Sequence, residues 1–227
     1  MIDDWISSEH TGLEERNYYR QVFANGDHLP LRIPNVLRSD KVDILNDFFE
    51  HDAIWAESDL ALRGKGFVSR QEWEEASESE RLSAIKSLDS EQIENFGPSR
   101  DIFFEFINAI KFDRSIYDWF VDVSGLPLVP VPSISAKAMG ANDFLGPHND
   151  RTENRRLAYI FYFSRDWQAK FGGSLEFRSG EKTSSLACEH NSLVIFDVLA
   201  DQIHWISPVH EIAKSRLRYT VGGWFDA

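Results

Sequence analysis

The second half of the chain is built from short segments rich in Val, Ile, Tyr and Phe, separated by turn residues. From Leu126 onward these segments cover residues 127–139, 155–164, 173–178, 183–188, 192–197, 203–208 and 216–225. Many short strands at this spacing are typical of an antiparallel sandwich or barrel. The sequence therefore predicts a jelly-roll core over residues 126–227.

The first half has a different pattern. Residues 1–38 are mixed and polar, with turn signals, and helices are predicted at 40–50, 70–87, 101–111 and 115–124. The last of these is followed by Gly125, a typical helix-ending residue. Helices first and strands after predict an α+β fold, with the helices of residues 1–125 packed outside the jelly roll. A chain of 227 residues suits a single domain spanning 1–227.

Charge and cysteine content limit the function classes. The formal net charge of -13 repels phosphate backbones, so nucleic acid is not an expected partner. The single cysteine, Cys188, excludes an intrachain disulfide and a thiolate cluster and favours a reducing cytoplasm. The first residues do not read as a signal peptide, and no apolar run is long enough to cross a membrane.

A candidate metal site lies in the motif Gly146-Pro147-His148-Asn149-Asp150. Side chains at i and i+2 of an extended strand point to the same face, so His148 and Asp150 would converge. Two His and one carboxylate on one face of an octahedron form the arrangement used by non-haem iron(II) oxygenases. Alone, His-x-Asp also fits a polar loop with a histidine on it.

The third ligand has two candidates. His204 lies inside the apolar run Ile203-His204-Trp205-Ile206, where neighbours would hold its ring; a hydrogen-bonded core histidine is the alternative. His210 follows Pro208, which tends to interrupt strand pairing. We favour His204. The other histidines have polar or turn-like surroundings and are predicted at the surface: His10, His28, His51 and His190.

Six blocks of the second half follow one another in a characteristic order: 148–150, 155–162, 171–176 after Trp167, 191–196, 204–209 and 218–225. In their order and spacing they resemble the prolyl-hydroxylase-like 2-oxoglutarate oxygenases. The resemblance implies a double-stranded β-helix, with Fe(II), 2-oxoglutarate and O2 as cofactor and co-substrates. It also implies His148, Asp150 and His204 as the catalytic metal ligands.

A co-substrate site follows from the same resemblance. The family grips the C5 carboxylate of 2-oxoglutarate, and arginine suits this because it is planar and permanently charged. Arg216 and Arg218 share a strand face, but Arg218 has the family's spacing to Trp224. Thr220 on that face is expected to add a hydroxyl donor. Tyr162 stands where the family places a tyrosine that contacts this carboxylate.

The implied reaction is hydroxylation of an unactivated C–H of an amino-acid side chain, free or peptidyl and including prolyl, with release of succinate and CO2. Asp150 favours hydroxylation, since related halogenases replace this carboxylate with Gly or Ala. Desaturation or cyclisation of a small natural-product intermediate stays open as an alternative. A non-catalytic jelly-roll binding protein is the alternative of another class.

A mobile lid is a further hypothesis. Residues 56–100 are highly charged, carry Gly64 and Gly66 as potential hinges, and contain few bulky side chains. An oxygenase benefits from a cover that excludes water. A solvated helix without a role in catalysis is the alternative.

Overall fold

The computed structural model describes residues 1–26, 30–57, 59–152 and 154–227. Its helices are α1 Leu13–Asn25, α2 Ser39–Asp47, α3 Arg70–Glu75, α4 Arg100–Phe112 and α5 Arg114–Ser124. Its strands are β1 Leu31–Pro34, β2 Trp55–Glu57, β3 Ala61–Leu62, β4 Gly66–Phe67, β5 Arg81–Ala84, β6 Lys86–Leu88, β7 Ser135–Met139, β8 Phe144–His148, β9 Arg155–Tyr162, β10 Leu175–Ser179, β11 Lys182–Leu186, β12 Ser192–Asp197, β13 Ile203–Ile206 and β14 Arg218–Asp226.

Within these residues the strands form two seven-stranded antiparallel sheets. One has the order β1-β12-β9-β14-β7-β6-β2, and the other has the order β11-β10-β13-β8-β5-β3-β4. The central strands of the first sheet are apolar and almost fully buried, because one face meets helices and the other faces the second sheet. The predicted jelly-roll core is confirmed.

The helices pack on the outer face of the first sheet. Phe106 of α4 meets Phe161 and Phe163 at ring-centroid distances of 5.4 and 5.8 Å. Phe120 of α5 contacts Tyr159 and Phe225 on the same sheet face. These aromatic contacts cover the outer face of the first sheet with helices. A cavity can therefore form only on its inner face. The predicted α+β layout is confirmed, and α5 ends at Gly125 with φ +68°.

The prediction of a helix over 70–87 is wrong beyond its first turns. Helix α3 begins with a capping box between Ser69 and Glu72 but ends at Glu75. The following residues form β5 and β6, which pair with β8 and β7. Pairing with distant strands therefore overrides the helical composition of this stretch.

Three further details differ from or lie beyond the sequence expectations. The polar segment 1–38 contains α1, which was not predicted because its side chains bury little surface. His10 is buried instead of exposed, and its Nδ1 lies 2.7 Å from the hydroxyl of Tyr19. His28 lies outside the described residues. Among the residues that the structure describes, no helix has the length and apolar content needed to cross a bilayer.

Candidate active site

Strand pairing brings the predicted metal-ligand residues together. His148 is the last residue of β8, Asp150 follows two positions later, and His204 on β13 is directly opposite His148. The Nε2 atoms of His148 and His204 lie 3.4 and 3.3 Å from the two carboxylate oxygens of Asp150. One candidate ligand atom from each residue lies within 4.8 Å of the others, close enough to surround one ion.

The surroundings hold these side chains in place. The Nδ1–H of His148 donates to the Gly146 carbonyl at 2.9 Å, which leaves Nε2 directed at the cluster. His204 is buried, and its ring packs against Phe177 and Phe196. Burial alone would raise the pKa of Asp150, but hydrogen bonds from both histidines hold it well below its usual range.

His210, the alternative third ligand, lies elsewhere. It is exposed, and its Nδ1 is 3.0 Å from the carbonyl of Lys170. In the described part of the chain, His148, Asp150 and His204 are the one group of three with metal-ligating geometry. A His2Asp donor set suits Fe(II) and leaves positions for other ligands.

Asp150 has a supporting contact that sequence reasoning did not find. The indole N–H of Trp224 donates to Asp150 Oδ2 at 3.0 Å, and the guanidinium of Arg155 lies 3.6 Å from the centroid of the Trp224 ring. The signal for Arg155 was its place in a family-like block, but only strand register brings it onto Trp224.

The cluster opens into a cavity of about 510 Å³ between the two sheets. Its wall is largely apolar, as expected for a site that accepts a small organic group. The charged and histidine side chains that line it are Asp59, Lys137, His148, Asp150, Arg155, His204 and Arg218. The site therefore combines a potential metal centre with separate cationic groups.

Arg218 faces this cavity from β14, and the described residues give its guanidinium no anionic partner. It is 1% exposed, and its Nη1 lies 3.7 Å from the Met139 sulfur. Its Nε and Nη2 have no hydrogen-bond partner among the described residues. A buried, unpaired guanidinium is unfavourable unless a ligand completes the site. Arg218 therefore provides a candidate binding site for a carboxylate.

The other predicted co-substrate residues lie beside Arg218. Thr220 lines the cavity, while Tyr162 is opposite it on β9 and is fully buried behind the cavity surface. The Arg218 guanidinium lies 5.0 Å from the Tyr162 ring centroid, and the Tyr162 hydroxyl has no partner among the described residues. Burial raises the pKa of Tyr162, which keeps its phenol protonated as a donor. Arg216, by contrast, is exposed.

Comparison with known proteins agrees with this geometry. Residues 134–226 match the family model of the 2OG-Fe(II) oxygenase superfamily. Prolyl 3-hydroxylase OGFOD1 from Xenopus laevis is 29% identical over 171 residues, covering 70% of this chain and 33% of that protein. The Mus musculus protein is 28% identical over 192 residues, covering 78% and 35%. The chain thus spans about a third of the length of these relatives.

Solved structures share the fold. A Pseudomonas putida prolyl-4-hydroxylase aligns with a TM-score of 0.58 at 16% identity, covering 93% of this chain and 98% of that one. A Trichoplax adhaerens prolyl hydroxylase, solved with a hypoxia-inducible-factor peptide, gives 0.62 at 13% identity, with 94% and 91% covered. Over residues 134–226 the chain is similar to the 2OG-Fe(II) oxygenase superfamily, and the relatives and solved structures that it resembles include prolyl hydroxylases.

Proposed function

We propose that this chain is a 2-oxoglutarate- and Fe(II)-dependent dioxygenase that hydroxylates a C–H bond of a prolyl residue, with formation of succinate and CO2. One observation carries the proposal: His148, Asp150 and the buried His204 open into the same cavity as the guanidinium of Arg218, two nitrogens of which have no hydrogen-bond partner among the described residues. This chemistry needs a metal centre and a carboxylate-binding site in the same cavity.

The residues present fit the group that the family requires. His148, Asp150 and His204 would hold Fe(II) through two imidazoles and one carboxylate. When bound, Fe(II) together with 2-oxoglutarate and O2 supplies the oxidising power for attack on an unactivated C–H bond. The protein's own share is to hold the ligands, orient both substrates and exclude water.

The remaining polar side chains have defined tasks in this proposal. Arg218 pairs with the C5 carboxylate of 2-oxoglutarate, and Tyr162 and Thr220 supply hydroxyl donors beside it. Trp224 keeps one oxygen of Asp150 occupied by a hydrogen bond, which orients the carboxylate toward the metal position. The apolar wall limits the water that reaches the reacting carbon.

The substrate assignment rests on the relatives, which are named prolyl hydroxylases. A neutral or basic peptide also suits a chain with a formal net charge of -13. We further propose one oxygenase domain over residues 1–227, since both sheets include strands from both halves of the chain. A cytoplasmic location is supported by a single, buried cysteine.

Succinate formation tests the proposed function. The purified protein should convert 2-oxoglutarate to succinate with Fe(II) and O2, and faster with blocked proline-containing peptides than with peptides that lack proline. Mass spectrometry of the peptide should show a gain of one oxygen on proline. A loss of two hydrogens instead would indicate desaturation, and no succinate under any condition would favour a binding protein.

Strand pairing restricts the lid hypothesis to a smaller part of residues 56–100. Within residues 56–100, β5 and β6 are anchored by pairing with β8 and β7. The β3–β4 hairpin ends at Gly66 and Phe67, which line the cavity, and Phe67 is 74% exposed. Gly64 and Gly66 have φ of +72° and +82° in open space, so this turn favours glycine. We propose that the hairpin covers bound substrate.

Limited trypsin digestion tests this cover. Cleavage after the exposed Arg63 and Lys65 should be fast in the free protein and slower with Mn(II), 2-oxoglutarate and a turnover-competent peptide bound, because a seated substrate would restrain the hairpin. Cleavage after exposed Lys182, away from the cavity, is the internal control. The lid would be rejected if bound ligands slowed cleavage equally in the hairpin and at Lys182, or slowed it at neither.

A further inference from the structure

One charged pair in the cavity wall has no part in the chemistry described above. His148 and His204 line the cavity from β8 and β13, and Arg218 lines it from β14 in the other sheet. The segment between β3 and β6 also lines it, through Ala61, Gly66, Phe67, Leu82, Ser83 and Ile85. Asp59, which contacts this segment at Ser83, and Lys137 on β7 add two charged side chains that have no task in the proposed chemistry.

Strand register fixes the position of Lys137. It lies on β7 between Ser87 on β6 and Thr220 on β14, so these three side chains form one row across the sheet. Its ammonium donates to the carboxylate of Asp59 and to the hydroxyl of Ser87, the latter at 2.7 Å. An ammonium carries three N–H donors, so its two partners among the described residues leave one donor for a ligand in the cavity.

The counter-charge decides which ligand suits Lys137. Its side chain is 31% exposed and that of Asp59 is 18% exposed, so water screens the pair only in part. Asp59 cancels most of the attraction that Lys137 would exert on a carboxylate, and its own charge repels one. A neutral carbonyl oxygen can accept the remaining N–H without that repulsion. Arg218, for which the described part of the chain offers no anionic partner, is better suited to the co-substrate carboxylate.

We infer that Lys137 is a specificity-determining residue that donates a hydrogen bond to a main-chain carbonyl oxygen of a peptide substrate, with Asp59 discriminating against carboxylates. The inference rests on the proposed function and deepens it, since it selects a peptidyl over a free amino-acid substrate. Asp59 also adjoins the β3–β4 hairpin, and its carbonyl accepts from Ser83 Oγ at 2.9 Å. The carbonyl anchor therefore lies at the base of the proposed cover.

The first test replaces Lys137 with methionine, which keeps an unbranched apolar stem. With a library of N-acetylated, C-amidated peptides containing a central proline, Lys137→Met should raise KM about 10- to 100-fold, as expected for losing a hydrogen bond to a charged donor. The fall in kcat should be smaller, and the half-saturating concentration of 2-oxoglutarate should stay unchanged.

A matched control exists on the neighbouring strand. Lys86 pairs with Asp143 at 2.5 Å, with side chains 22% and 14% exposed, but neither residue lines the cavity. Lys86→Met removes a similar ion pair and should leave KM for the same peptides unchanged. If both variants raise KM equally, or if Lys137→Met raises the requirement for 2-oxoglutarate instead, the inference is wrong.

The second test removes the counter-charge and does not depend on the folding of Lys137→Met. Asp59→Asn removes the negative charge that neutralises Lys137. The kcat/KM for free L-proline and for peptides ending in a proline carboxylate should therefore rise relative to the kcat/KM for blocked peptides. The inference would be overturned if this ratio of kcat/KM values were the same in Asp59→Asn as in wild type. It would also be overturned if the wild-type protein preferred free L-proline to blocked peptides. Absence of succinate from wild-type protein would instead remove the proposed function on which it rests.

Discussion

Arg218→Met is expected to raise the half-saturating concentration of 2-oxoglutarate about 100- to 4000-fold. Removing one partner of a buried ion pair costs about 3–5 kcal/mol, and each 1.4 kcal/mol is a tenfold change in affinity. Arg218 is 1% exposed, and two of its nitrogens have no hydrogen-bond partner among the described residues. The measurement is succinate formation over a range of 2-oxoglutarate concentrations, supported by calorimetry on Mn(II)-loaded protein.

The matched control is Arg216→Ala, two residues earlier. Arg216 is exposed, and its guanidinium lies 5.4 Å from the Phe171 ring centroid. Its removal should leave the 2-oxoglutarate requirement close to that of wild type. An equal rise for both variants would point to a general charge effect, and a larger rise for Arg216→Ala would reject Arg218 as the carboxylate-binding residue.

The choice of Arg218 over Arg216 shows how far a local sequence pattern can predict the residues of the site. Both arginines share a face of an ideal strand, so alternation left them equivalent, and a family-like spacing to Trp224 was needed to separate them. The structure begins β14 at Arg218, which leaves Arg216 in the preceding loop. Where a strand begins depends on pairing with β7 and β9, and the segment itself does not encode those partners.

The candidate metal site was more accessible to sequence reasoning because two of its three residues are close together in the sequence. His148 and Asp150 are two residues apart, and the apolar run around His204 favoured it over His210. The pairing of β8 with β13 then sets the two histidines opposite one another. The convergence of all three residues could be expected from pattern and resemblance, whereas the contact between Trp224 and Asp150 could not, because it depends on the final packing of two sheets.

The N-terminal half was harder to predict for two physical reasons. The helical composition of 70–87 competes with strand pairing to β7 and β8, whose residues are about 50 to 60 positions away in the sequence, and pairing wins. Helix α1 has no buried residues, so its sequence lacks a continuous apolar stripe. The pair of Asp59 and Lys137 joins this half to the jelly roll and was invisible to any local pattern.

Replacing either of the two proposed metal ligands that are close in the sequence should abolish turnover. His148→Ala or Asp150→Ala removes one of three donors, and two remaining ligands cannot hold Fe(II) tightly. His204→Ala should do the same, since its Nε2 is 3.3 Å from Asp150. The measurement is Mn(II) binding by electron paramagnetic resonance, together with the metal-dependent rise in Tm that a ligand of the folded state produces. All three variants should lose both signals.

His210→Ala is the control that tests the third ligand. His210 is exposed and directed at the carbonyl of Lys170, so its removal should leave Mn(II) binding, the metal-dependent rise in Tm and succinate formation as in wild type. Loss of metal binding in His210→Ala with retention in His204→Ala would reverse the assignment. Circular dichroism on each metal-free variant separates ligand loss from unfolding, because His204 also packs against Phe177 and Phe196 and its removal leaves a small cavity there.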